Sequence, residues 1–469
     1  MLSRVAVVLS LLCALVTAAT ADDHSLHITG TVVGGWTDNL FSTPDEPVVG
    51  VPNPPPLKEA DVYAQFRPGL LGTWARGRAI LQATYELEAN LYADHDEANS
   101  LQHILGVGGF FLTSPRTELS TGLRMQTGTL NSFTTRSLAA NGEFTVLPSG
   151  ASDYTSAEVN ELLAFTATRD LRLSQNFRFL HFSAFDPNLA SNPQRNVSSG
   201  QTVFLEGIAD RSFRYSAVAL RANAVLTSTG GHNDERDFDT NRQLTAAIAG
   251  GWRRDFGPRW TTALDAGVTA VVPLQEVNTS FQPTFGAQVG YFPEWGSAGV
   301  AVRRAIAPNL FVGQNTITDS ASIFGWLPLP WFTEDIREPT LAIGGSVGIN
   351  RTQLLDIDTG DDVGTYDVIG GDVALAYNVR EGVVVSARYQ YLNQDIVDAG
   401  LGTANIWGYT RNSVMITVGG RFPYRLAADL PERETLRVDR RNVDPVGEEI
   451  DANRAPGANP GGGGGGGGR

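Results

Sequence analysis

The sequence predicts an all-β chain: a transmembrane, antiparallel, up-and-down β-barrel of about 18 strands (16 to 18), followed by a disordered C-terminal tail. Three observations predict it. Segments of about ten residues alternate apolar and polar side chains with a period of two. Tight turns alternate with longer polar loops along nearly the whole length. The chain opens on the layout of an export signal.

The opening residues carry a positive charge at Arg4, an apolar run from Val5 to Val16, and small residues ending Ala19-Thr20-Ala21 before Asp22-Asp23. This is the three-part pattern of a cleaved signal peptide, expected over residues 1–21, and its apolar run is too short to span a bilayer as a helix. The single cysteine, Cys13, falls inside that run. A lipoprotein signal would need a better lead-in than Ser10-Leu11-Leu12, and the apolar run continues past Cys13. The mature chain therefore has no thiol or disulfide chemistry. Beyond Ala21 no stretch reaches the roughly 18 to 20 apolar residues of a membrane helix.

The chain has 35 basic and 50 acidic residues, a net charge of −15, and Lys58 is its only lysine. Losing Arg4 with the leader makes it more acidic still. Such a balance argues against nucleic acid as a partner.

The alternation is cleanest over residues 79–91. Ala79, Leu81, Ala83, Tyr85, Leu87, Ala89 and Leu91 fall on one face, with Gln82, Thr84, Glu86, Glu88 and Asn90 on the other. It recurs where Leu119, Thr121, Leu123 and Met125 oppose Glu118, Ser120, Arg124 and Gln126. Near the C-terminus Val414, Ile416, Val418 and Phe422 oppose Thr417 and Arg421.

Tight turns are expected at Arg76-Gly77, Ser114-Pro115, Arg169-Asp170, Asp210-Arg211, Gly257-Pro258, Pro293-Glu294 and Arg380-Glu381-Gly382. Longer loops are expected at 38–59, 93–99, 131–157, 186–200, 229–241, 274–281, 314–319, 356–365 and 393–409. Short turns on the periplasmic side and longer loops outside are the usual asymmetry, and this count leaves both chain ends in the periplasm. The barrel is expected over 22–428. The tail, 429–469, is charged, rich in proline and ends in a glycine run, a composition that cannot bury a core.

Aromatic residues gather near strand ends, where an interfacial girdle would sit: Trp252 and Trp260 flank one turn and Trp295 lies beside another. The polar face carries Arg67, Glu86, Glu88, Arg124, Arg178, Arg253, Asp265, Asp372, Arg388, Gln390 and Arg421, expected to line the lumen. Charges on so many strands are costly in lipid or a dry core and tolerable against water. At this strand number the lumen is too wide for side chains to fill. The loop at 131–157 is long enough to fold into it, and equally suited to stand outside.

Motifs for chemistry are few. His181 and Ser183 share a strand face, with no acidic residue spaced to orient the imidazole. Gly344-Gly345-Ser346-Val347-Gly348 matches a nucleophile-elbow string but sits in strand-like sequence rather than at a strand-to-helix turn. Acidic bunches at Asp356, Asp358, Asp361 and Asp362, and at Asp234, Glu235, Asp237 and Asp239, suit solvated loops more than a calcium site. The expectation is a non-enzyme with no metal and no cofactor.

From about Leu26 to Tyr424 the pattern resembles Gram-negative outer-membrane porin-like barrels. AIAPNLFVGQNTITDSASIFGWLPLP, residues 305–330, and FRPGLLGTW, residues 66–74, are similar to segments of outer-membrane barrels associated with polysaccharide secretion. The resemblance implies a translocation pore in outer-membrane lipid, passing small hydrophilic solutes or a polysaccharide, the latter with periplasmic or inner-membrane export partners. One departure is plain. Such barrels commonly end on an aromatic strand, whereas Phe422 and Tyr424 are followed by the tail to Arg469. Solute channel, polymer-export barrel and outer-membrane hydrolase are the three readings, with the channel first and the hydrolase last.

Overall fold

Period-two alternation leaves each strand with one apolar and one polar face. The arrangement that satisfies every backbone group while keeping the two faces apart is a sheet closed on itself. A computed structural model of the chain shows that arrangement. It describes residues 24–47, 57–130, 152–185, 199–230, 241–274, 279–293, 295–309, 314–329, 341–355, 362–380, 383–398 and 408–422.

The strands run in order as β1 (His24–Thr37), β2 (Asp61–Arg76), β3 (Ala79–Tyr92), β4 (Ser100–Ser114), β5 (Thr117–Leu130) and β6 (Ser152–Thr166). Next come β7 (Leu171–Phe185), β8 (Ser199–Ser212), β9 (Ser216–Gly230), β10 (Asn241–Asp255), β11 (Trp260–Pro273) and β12 (Ser280–Tyr291). The last are β13 (Ser297–Asn309), β14 (Gln314–Pro328), β15 (Leu341–Leu355), β16 (Asp362–Arg380), β17 (Val383–Asp398) and β18 (Tyr409–Phe422). Each pairs antiparallel with its neighbours in sequence, and β1 pairs with β18 as well as β2, which closes an 18-stranded ring. Among the described residues the only helical element is a 3-10 turn, Asp96–Ala98.

Register fixes which face is which. Leu26, Ile28 and Val32 on β1 are exposed, as are Val62, Phe66 and Leu70 on β2, Leu264 and Val268 on β11, and Val414, Ile416 and Val418 on β18. Cross-strand pairing joins these rows around the outside of the ring. The opposite rows are buried and largely polar, with Gln65, Glu88, Asn90, Gln102, Gln126, Gln243, Gln394 and Ser413 among them.

At the long-loop end this inner face turns apolar. Val33, Leu40, Tyr63 and Tyr92 form one cluster and Leu354, Tyr366, Val368, Leu392 and Tyr409 another. The segment after β1 folds inward to reach the first cluster. Asn39 pins it: the side-chain amide donates to the carbonyls of Thr43 (2.8 Å) and Thr410 (3.0 Å), and Thr43 N–H donates back to Asn39 Oδ1 (2.9 Å).

Most turns fall where the sequence places them; Gly77 and Gly257 take up positive φ (56° and 78°) at two of the tight ones. Six boundaries differ, two of them because β6 begins at Ser152 and β16 at Asp362, inside the loops expected at 131–157 and 356–365. β8 continues through Asp210-Arg211 to Ser212, so that turn lies at Phe213–Tyr215. Residues 314–319, expected as a loop, are the start of β14. Asn393–Asp398 likewise belong to β17 rather than to a loop. The link between β14 and β15, at 329–340, went unmarked and is longer than the other connections at its end of the ring. The polar runs at 314–319 and 393–398 mimic loops because outer-parity side chains there are polar and find polar partners: Asp319 meets Arg304, and Asn393 meets Asp395 and Thr410. The leader at 1–21, the inner stretch of the 131–157 loop, the acidic residues 234–239 and 356–361, and the tail from 429 lie outside the described residues.

Candidate functional site: the inner wall

Each inner side chain is aimed by the parity of its strand, so the wall can be assembled pair by pair. On β2 and β3, Arg67 Nε lies 2.8 Å from Glu88 Oε2. Gln65 Nε2 donates to Glu88 Oε1 (2.9 Å) and Asn90 Oδ1 (2.7 Å), and Asn90 Nδ2 donates to Ser100 Oγ (2.9 Å) on β4. Glu86 takes the same face, beside Gly69 and Ile104. The small side opposite it leaves room for its carboxylate. Further along, Tyr154 donates to Gln102 Oε1 (3.1 Å) and stacks on Phe182.

On β5 to β7, Arg124 stands beside Glu158 in register, and Arg178 holds Glu158 with two contacts of 2.7 and 3.1 Å. Arg172 Nη2 donates to Glu118 Oε2 (2.7 Å). Across β10 to β13, Arg253 faces Ala263, Asp265 faces Gly251 and Gly286, and Gly286 faces Arg303. On β15 to β17, Asp372 accepts from Ser346 Oγ (2.6 Å) and from Arg388 Nε (3.1 Å), with Arg388 Nη2 at 2.9 Å; Gln390 is its register partner. The register sets Arg421 opposite Thr29.

By register parity Arg67, Glu86, Glu88, Arg124, Arg178, Arg253, Asp265, Asp372, Arg388 and Gln390 take the side of the ring opposite the exposed apolar rows. They are brought together as separate patches along the wall rather than as one centre. Glu118, which the alternation puts on the same side as Arg124, belongs with them, as do Glu158, Arg172, Glu206, Arg221 and Arg303, which the sequence reading leaves out. Parity with Arg178 would have found Arg172, since an even offset along a strand keeps the face, whereas Arg221 shares the side of Arg253 through the register of β9 with β10.

The chemistry available here is electrostatic and hydrogen-bonding. Guanidinium–carboxylate pairs that remain partly open, such as Arg178 at 41% side-chain exposure, present both charges to whatever occupies the interior. His181 and Ser183 share a face as expected, but the outer one. Gly344–Gly348 lies in mid-strand within β15, without the strand-to-helix turn an elbow requires. Among the described residues no group of three metal-ligating side chains gathers.

Outside the strands, two charged sites tie down the long-loop end. Lys58 Nζ bridges Asp38 (2.9 Å) and Asp45 (3.3 Å), while Asn412 donates to Asp38 from its backbone (2.6 Å) and side chain (2.8 Å). Burial works to raise the Asp38 carboxyl, and these donors together hold it below its ordinary range. His95 lies between Asp61 (Nδ1 to Oδ2, 2.9 Å) and Glu59 (Nε2 to Oε2, 2.6 Å). The hydrogen bond to Asp61 leads in raising its pKa, with Glu59 adding to it against partial desolvation.

No protein-family model matches the chain, and no curated protein does. Solved structures similar to it include the FrpB iron transporter of Neisseria meningitidis (F5-1 variant, apoprotein), at 8% identity and TM-score 0.48, covering 84% of this chain and 81% of that one. Another is OccK2 (OpdF) of Pseudomonas aeruginosa in complex with glucuronate, at 11% identity and TM-score 0.44, covering 85% and 98%. A third is the alcaligin outer-membrane receptor FauA of Bordetella pertussis, at 10% identity and TM-score 0.43, covering 84% and 76%. The barrel itself stands on its own closed strand register.

Proposed function

We propose that this chain is a channel protein of the Gram-negative outer membrane that passes small hydrophilic solutes through its barrel. The observation that carries the reading is the back-to-back arrangement of the wall. Exposed apolar rows run round the outside, and paired arginines and carboxylates run round the inside.

The outer face has the height such a role needs. From Phe281 to Tyr291 along β12, ten residue steps of about 3.4 Å each at a tilt of about 45° span about 24 Å, close to the usual apolar band. At the short-turn end Trp260 packs on Tyr291 (4.4 Å between centroids) and Trp295 meets the same ring edge-on, as an interfacial girdle would. Arg67, Glu86, Glu88, Arg124, Arg178, Arg253, Asp265, Asp372, Arg388, Gln390 and Arg421 would line the water-filled passage, with opposed charges setting a transverse field. Residues 1–21 would be removed on export and 429–469 would remain as a periplasmic tail.

Purified protein in planar bilayers should give stable stepwise conductance. A silent bilayer across a wide voltage range, with correctly folded protein inserted, rejects the reading. Polymer export with periplasmic partners is the second reading, resting on the resemblance at 305–330. It is less favoured by the inner wall, where Tyr154 and Phe182 are spent on each other rather than offered to a sugar ring. A deletion strain with normal surface polysaccharide would exclude it.

A further inference from the structure

One seam of the barrel is built differently from the rest. β12 and β13 pair only from Phe285–Arg304 to Tyr291–Ala298, whereas β13 stays paired with β14 out to Asn309–Gln314. Toward the long-loop end Ser280–Thr284 and Ala305–Asn309 thus part company. Continuing the register would set Pro283 against Ile306 and Pro308 against Phe281, and a proline has no N–H to give a ladder.

The start of β14 does not splay outward. Asn315 and Ile317 have the parity of the outer face, yet they are 1% and 3% exposed. Asn315 exchanges two amide hydrogen bonds with Gln243, an inward residue of β10, two strands beyond β12. Asn315–Ile317 therefore tucks behind β12 and lays its outer side on the inner side of β10 and β11, where Gln243, Thr245, Thr269 and Val271 are buried. At this level the wall is a lap joint closed by side chains.

A ladder of charge leads to it on the outer face. Arg304, the last β13 residue paired with β12, contacts Asp319 (3.0 and 3.3 Å); Asp319 faces Arg351; Arg351 holds Asp367 by two bonds of 2.8 and 2.7 Å. Each member lies farther from the short-turn end of its strand than the one before: Ser297 to Arg304, Pro328 to Asp319, Leu341 to Arg351, Arg380 to Asp367. On tilted strands such a row climbs diagonally, from the seam up toward the rim. Charges facing hydrocarbon are costly, and structural pairing alone would be served as well on the inner face.

We propose that the β12–β13 seam is a lateral gate. It admits the polar head of a membrane lipid to the barrel interior, with the Arg304–Asp319–Arg351–Asp367 ladder as its track. Alternating guanidinium and carboxylate groups suit a head that carries phosphate together with hydroxyl or ammonium groups, while the acyl chains stay on the apolar rows. The gate opens by swinging Asn315–Ile317 of β14 off β10, which breaks the Asn315–Gln243 pair. This inference rests on the membrane reading above.

Photocrosslinking separates the two. Benzoylphenylalanine is placed singly at Phe281 and Ile248 on the outer face, at Thr284 and Thr269 on the inner face behind the seam, and at Ser174 on the inner face of β7. The proteins are reconstituted in phosphatidylethanolamine vesicles, with and without lipopolysaccharide, so that the adduct mass tells which lipid enters. Folding is checked by heat-modifiable gel mobility, and either Thr284 or Thr269 suffices if the other fails to fold. Lipid adducts at the inner seam positions should exceed those at Ser174 by about tenfold, and Arg351→Ala should reduce them severalfold while leaving Ile248 unchanged. Adducts at Phe281 and Ile248 with no excess at the seam positions overturn the gate alone. No adduct at Phe281 or Ile248 overturns the membrane reading itself.

Discussion

The ring of Tyr63 lies across Gly35, so close that a β-carbon added at Gly35 would sit 2.5 Å from Tyr63 Cζ. Tyr63 cannot easily move away, because it is buried among Val33, Leu40 and Tyr92. Gly35→Ala should therefore destabilise the barrel by about 1 to 3 kcal/mol through overpacking. In urea titrations of detergent-solubilised protein, adding Tyr63→Ala should recover part of that loss. Fully additive losses would show that the ring does not press on this glycine.

Asp372 and Arg388 make a second coupled pair, at 15% and 12% side-chain exposure. Asp372→Ala takes the carboxylate from a largely buried guanidinium and from Ser346, and should cost about 3 kcal/mol or more. The double variant Asp372→Ala with Arg388→Met should cost less than Asp372→Ala alone. The same unfolding midpoints decide it, and a double variant weaker than either single one would refute the pairing argument.

Arg178 and Glu158 are the more open pair and should govern ion preference instead. Arg178→Glu puts two negative charges together, and at about 1 kcal/mol per unit charge near 4 Å in water the cation-to-anion permeability ratio should rise about fivefold. Glu158→Arg should shift it the other way. Reversal potentials in a potassium chloride gradient measure both, and equal values for the two variants would remove this patch from the conduction path.

His95 gives the long-loop end a pH dependence. Its folded pKa is raised, so the stability it adds is fully present below about 6.5, the unfolded value, and is lost as pH rises through the folded value. Ala93 and Asp94, whose amides donate to Asp61 beside it, should show protection from hydrogen exchange that falls across that interval. His95→Gln should flatten the profile. Protection that rises with pH, after correction for intrinsic exchange, would contradict the sign.

Much of this is legible in the sequence. The alternation at 79–91 assigned Leu81 to Leu91 and Gln82 to Asn90 to opposite faces, and the register keeps them there. Harder were residues whose polarity has a partner on another strand. Asn315 and Asp319 read as loop because nothing local distinguishes an exposed Asn from one that meets Gln243, or an exposed Asp from one that meets Arg304.

Alone, the sequence determined the strands, their approximate ends, the all-antiparallel barrel and the apolar and polar faces of strands such as β3, because those follow from a two-residue period and turn chemistry within each segment. Tertiary structure decided the closure of β1 on β18, the inward fold of the Asn39 segment, the lap joint at β12–β13 and the diagonal ladder outside it. Each of these depends on register between strands, and register is set by contacts among side chains far apart in the chain.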